Sequence, residues 1–202
     1  MQTVGDLLLS LRFRLRETKE TNWPTEGLID TLNTALSKVS RDLLLFKDES
    51  IYTAKKEQTF YRLPNHKIRT IAVTIDDKLI PYKSFEWVSA NPHKLDSSCI
   101  YAYETQEGLT FTQSPDKGQI KIAYNSTRRV DGEDEPLPVP DFAEESMTLY
   151  CLYLANQREA SEKAFVKSQT YLALYNEEVT RLKAAMNKNY FSKNIRTDYQ
   201  VV

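Results

Sequence analysis

The spacing of apolar residues changes period twice along this chain, and that alternation constrains the fold more than any motif does. Up to Phe46 apolar residues recur every three or four positions. From about residue 50 to 127 they alternate, and from Phe142 to Met186 the helical spacing returns. A helix-period stretch does not settle as a strand, nor the reverse. The order is therefore helix, helix, β lobe, helix, helix.

The first helix carries Val4, Leu7, Leu8, Leu11 and Leu15 on one face, with Thr3 and Asp6 placed as a capping pair. Arg12, Arg14 and Arg16 complement the dipole at its far end. A second helix follows Trp23-Pro24, striped by Leu28, Leu32, Leu36, Val39, Leu43 and Phe46. Pro24 fixes the chain's approach, Thr25 is the expected cap, and Trp23 is expected to fold back as a buried lid. Lys47, Asp48 and Glu49 are expected to close the helix.

Alternation then predicts six or seven short antiparallel strands over residues ~50–127, with a tight turn at Asp76-Asp77 and a helical turn or two within Lys83 to Ala90. The prolines of Glu135 to Phe142 make a stiff spacer. Met147, Tyr150, Cys151 and Leu154 line one face of the third helix. Phe165, Ser168, Leu172, Tyr175, Val179, Leu182 and Met186 line the fourth. The fold class is α+β: a four-helix bundle from residues 1–49 and 136–188, with an antiparallel β lobe over 50–135 inserted between helices 2 and 3. Residues 189–202 lose the periodicity and read as an extended C-terminal tail.

Catalytic chemistry has little to stand on. His66 and His93 sit in turn-like sequence, and no His or Cys pair has metal-ligand spacing. Five glycines leave no glycine-rich phosphate loop. Cys99 and Cys151 read as small buried apolar residues. No enzyme, cofactor or metal site is expected. No leader or membrane-spanning stretch is read, so the chain is expected to be soluble and made inside a cell.

Charge and tyrosine are more informative. Net charge is −1, which leaves no global attraction for nucleic acid. The segment from Asp131 to Glu145 nonetheless holds seven acidic residues, Asp131, Glu133, Asp134, Glu135, Asp141, Glu144 and Glu145, and no basic one. Arg181, Lys183, Lys188, Lys193 and Arg196 make the C-terminal end basic. Arg128 and Arg129 flank the acidic loop as candidate ion-pair partners. Tyr101 and Tyr103 share one side of a strand, which suits either an interface or ordinary strand surface.

The stretch "LLLSLRFRLRET…NWPTEGLIDTLNTALSKVSRDLLLF", with Trp23, Leu28, Leu32, Asn33 and Ala35, resembles the opening of tailed-phage head-to-tail adaptor proteins, the tail-tubular or connector group. The β-rich insertion, the proline loop Pro136–Pro140 and two closing helices follow the same plan. Pro24 departs from the Ser or Thr usual after the Trp. The resemblance implies a non-enzymatic virion protein of the neck, made in the host cytoplasm. Copies would form a ring on the portal, a dodecamer by that resemblance, extend the DNA channel without reading the DNA, and dock a tail or nozzle protein. Its expected contacts are Arg128, Arg129, Asp131, Glu133, Asp134 and Glu135 on one face. On the tail they are Tyr190, Phe191, Lys193, Arg196 and Tyr199, reaching the portal or a neighbouring copy. The competing readings are a small α+β ligand-binding or regulatory module and a DNA-packaging accessory protein.

Overall fold

The computed structural model describes residues 2–16, 23–94, 99–159 and 161–195, with His93 and the residues beyond 187 described in backbone only. Among them are helices α1 (Val4–Leu15), α2 (Thr25–Leu43), α3 (Phe85–Ala90), α4 (Glu144–Arg158) and α5 (Glu162–Ile195). The strands are β1 (Phe46–Thr53), β2 (Phe60–Arg62), β3 (Lys67–Ile75), β4 (Lys78–Leu79), β5 (Tyr82–Lys83), β6 (Ala102–Glu104), β7 (Gly108–Phe111) and β8 (Gln119–Ser126). The class is α+β, in two units: Met1–Leu45 with Arg128–Val202, and Phe46–Thr127.

In the helical unit α4 packs on α1, α2 and α5, and α2 also meets α1 and α5. That central place explains its burial. Met147, Leu149, Cys151, Leu152 and Ala155 are all buried, on more than one side of the helix. A single-stripe reading finds only part of this set. On α5 the buried residues are Ala164, Ser168, Tyr175, Val179 and Leu182, while Phe165 is 61% exposed. Burial pushes the Cys151 thiol well above its usual pKa, so it stays protonated. Cys99, in contrast, is exposed.

Thr3 and Asp6 do form a capping box: the Thr3 hydroxyl accepts from the Asp6 amide at 3.1 Å, and Asp6 accepts from the Thr3 amide at 2.9 Å. The start of α2 is built differently from expectation. No side chain among the described residues caps it, and Thr25 is its first helical residue. Arg12 of α1 secures this end, donating to the Trp23 carbonyl at 2.7 Å and to the Thr25 hydroxyl at 3.0 Å. Trp23 is half-buried, not a sealed lid, and the Arg158 guanidinium lies 6.0 Å from its ring centre. At the other end Leu44 takes a left-handed conformation, φ 52°, and stops the helix. Phe46, Lys47, Asp48 and Glu49 therefore belong to β1.

The β unit holds two four-stranded sheets, ordered β1-β8-β3-β4 and β2-β7-β6-β5. Tyr61, Leu109, Phe111, Ile120, Ile122 and Tyr124 are buried in its core. Asp76 and Asp77, both with positive φ, make the two-residue turn between β3 and β4. The pairing is not wholly antiparallel: β5 runs parallel to β6. Parallel neighbours need a crossover, and α3 lies in that connection. Glu104 of β6 accepts from Lys67 at 2.9 Å and from the Thr70 hydroxyl, tying β3 of one sheet to β6 of the other. Burial first, then the charge and hydrogen bond of Glu104, push the Tyr82 phenol up to about 12.

The expected tail is partly helical, since α5 continues to Ile195. Its residues beyond 195 lie outside the described residues.

A candidate assembly surface

Helix α1 begins against the acidic loop. Its first amides have no partner within the helix. The Val4 amide donates to the Glu135 carbonyl and the Gly5 amide to the Glu133 carbonyl, both at 2.9 Å. Thr3 bridges Pro136, and the Leu137 amide returns a bond to the Gln2 carbonyl at 3.0 Å. The loop is thus laid along the electropositive end of the α1 dipole, where carboxylates are favoured.

The loop's own side chains fix its shape. The Glu135 carboxylate accepts from the Asp131 amide at 3.0 Å and the Gly132 amide at 2.9 Å. Arg129 and Asp131, both exposed, pair at 3.2 Å. Asn33 of α2 donates to the Val130 carbonyl at 2.8 Å and accepts from its amide at 2.9 Å. Leu137 and Val139 are buried, so the proline-rich stretch contributes to the core as well as spanning it. Glu133 and Asp134 remain exposed. An open groove of about 600 Å³ runs alongside, lined by Asp30, Asn33, Lys38, Arg41, Arg129 and Tyr150.

At the other end of α1 is a pocket of about 280 Å³. Arg14, Arg16 and Lys167 supply cations, Trp23 and Tyr171 aromatic walls, and Asn156 a buried polar side chain. Glu159 also lines it. Arg14 pairs with Glu145 at 3.3 Å.

The structure brings Arg128, Arg129, Asp131, Glu133, Asp134 and Glu135 into one loop. Of the C-terminal cations only Arg181 and Lys183 have described side chains. Arg181 is held by Glu178 of its own helix at 2.7 and 2.5 Å. Tyr190, Phe191 and Lys193 lie on the last turns of α5, outside the described side chains. Arg196 and Tyr199 lie outside the described residues. Sequence reading missed Asn33 as the loop's clamp and Arg16 and Lys167 as pocket residues. The clamp joins residues 97 apart, which no local pattern marks.

The β unit carries a second exposed feature. Phe85 packs on Tyr103 at 6.1 Å, Trp87 on Tyr101 at 6.3 Å, and the Lys83 ammonium sits 4.7 Å from the Trp87 ring centre. The two tyrosines expected on one strand side are each covered by a ring of α3. The Asp76 and Asp77 carboxylates are engaged by the Gln119 amide and Lys121. No described helix is long and apolar enough to cross a membrane.

A search of curated proteins returned no match. The family model described as SU10 adaptor protein matches residues 2–197, and the chain belongs to that family of phage head-to-tail adaptors. Membership gives it a structural role in the virion neck, in contact with portal and tail proteins.

Proposed function

We propose that this SU10 adaptor assembles as a ring on the portal, extends the DNA channel beneath it and presents the docking surface for the tail. The family match across residues 2–197 carries this reading. In it, a four-helix bundle is the scaffold, the β lobe is inserted between its second and third helices, and no catalytic step is performed. DNA passes through the lumen without specific recognition, in keeping with a net charge of −1. The ring is a dodecamer in this proposal.

The loop from Arg128 to Glu135 and the C-terminal residues Tyr190, Phe191, Lys193, Arg196 and Tyr199 are its proposed contacts. Tethering the loop at Asn33 and at the α1 amides supports that assignment, because a preorganised surface loses less entropy on docking.

The test is to mix the purified chain with purified portal and image the product by negative stain. A closed ring of added density on the portal is expected. A persistent monomer with no affinity for portal would overturn the proposal.

A further inference from the structure

The acidic loop and the basic pocket sit at opposite ends of α1. The loop is bonded to the amides of Val4 and Gly5, and the pocket is lined by Arg14, Leu15 and Arg16. Twelve residues of helix separate the ends by roughly 18 Å. Its carbonyls fixed on α1, the loop cannot turn back into the pocket of its own chain. Each copy thus carries a concave cationic surface at one end of the helix and a fixed anionic projection at the other.

We infer that the pocket of one copy receives the Glu133–Asp134 corner of the loop of the next copy. This rests on the ring reading and supplies the contact that such a ring needs. Charge complementarity selects the occupant. Glu133 and Asp134 are exposed and make no ion pair among the described residues, and neither do Arg16 and Lys167. Trp23 and Tyr171 wall the pocket and give the carboxylates a partly dry setting, in which an ion pair is screened less than on open surface. The contact is heterologous: one face meets a different face of its neighbour, so it propagates around a closed ring. Opposite charges at the two ends also fix the direction in which copies join and disfavour head-to-head pairing.

The experiment uses two full-length variants. One reverses the pocket, Arg16→Glu with Lys167→Glu. The other reverses the loop, Glu133→Lys with Asp134→Lys. All four side chains are exposed, and melting followed by circular dichroism confirms that each variant folds. On portal, each variant alone should assemble at least tenfold more weakly than wild type. A one-to-one mixture should recover wild-type assembly, because every pocket then faces a loop of opposite charge. Singly competent variants, or a mixture that stays unassembled, would overturn the inference while wild-type rings leave the ring reading standing. A pocket variant that still self-associates but fails to attach to portal would likewise overturn it, assigning the pocket to a portal segment. Wild type that forms no ring on portal would sink the ring reading and this contact with it.

Discussion

Asn33 brackets Val130: its amide nitrogen donates to the Val130 carbonyl at 2.8 Å while its oxygen accepts the Val130 amide at 2.9 Å. Val130 is only 1% exposed, so no solvent stands ready to replace either bond. Asn33→Leu should lower stability by about 2–4 kcal/mol, since each orphaned buried group costs about 1–3 kcal/mol. Urea denaturation reads this as a fall in midpoint. An unchanged midpoint would mean that the bonds to the α1 amides hold the loop without Asn33.

Tyr175 is fully buried and donates to Asp42 at 2.6 Å, while Lys38 pairs with the same carboxylate at 2.9 Å. Burial raises the Asp42 pKa, but these hydrogen bonds and the Lys38 charge outweigh it and hold the carboxyl below its usual value. A lowered folded pKa gives stability that is complete above the unfolded value, about 3.9, and lost as pH falls through the folded one. Tyr175→Phe should therefore cost about 1.5–3 kcal/mol at pH 7 and less below about pH 4. Denaturation at the two pH values measures the difference. An equal cost at both would show that Asp42 is not the partner that matters.

A Cβ placed on Gly108 would lie 2.4 Å from the Tyr61 carbonyl oxygen and 2.9 Å from the Phe60 ring. The ring can turn aside, whereas the carbonyl is part of the β2–β7 pairing. Gly108→Ala should destabilise the β unit by about 1–3 kcal/mol. Adding Phe60→Ala should not restore it. Rescue by the second change would place the obstruction in the ring.

Ser40 of α2 and Ser146 of α4 are fully buried, and their hydroxyls have no hydrogen-bond partner among the described residues. Alanine removes the stranded polar atom at little cost in volume, so each substitution should raise stability by about 1 kcal/mol. Calorimetric melting would register it as an upward shift. A loss instead would show that the hydroxyl has a hydrogen-bond partner, such as a buried water.

Removing residues 196–202 leaves the whole of α5 in place. Under the proposed function the shortened chain should melt as wild type does yet no longer attach to portal, as judged by co-sedimentation. Full attachment would relieve Arg196 and Tyr199 of the role proposed for them.

Local patterns were legible and distant pairings were not. The Asp76-Asp77 turn could be read because Asp tolerates positive φ, and the Thr3–Asp6 cap because its spacing is fixed. The end of α2 was misplaced because Leu44, rather than a glycine, adopts the left-handed stop. The burial of Leu149 and Leu152 escaped because α4 has helical neighbours on several sides. On α5 the expected stripe holds at Ser168, Tyr175, Val179 and Leu182 and fails at its start, where Ala164 is inside and Phe165 outside. At the candidate surface the charges were visible in sequence. Which of them stay available was not: Glu135 is spent on its own loop and Arg181 on Glu178, while Asn33 reaches across 97 residues.

The clamp of the acidic loop on α1 also sets an order of events during synthesis. The partners of the Val4 and Gly5 amides arrive only with residues 133 to 135. At about 5–20 residues per second, α1 waits on the order of 6–25 seconds after emerging for the strands of chain that complete its first turn. The β unit is one unbroken segment, Phe46–Thr127, and can be finished in that interval. The helical unit, whose contacts span the whole chain, closes last. A chain paused within the β unit therefore carries α1 and α2 without α4, the helix that covers the apolar faces of both.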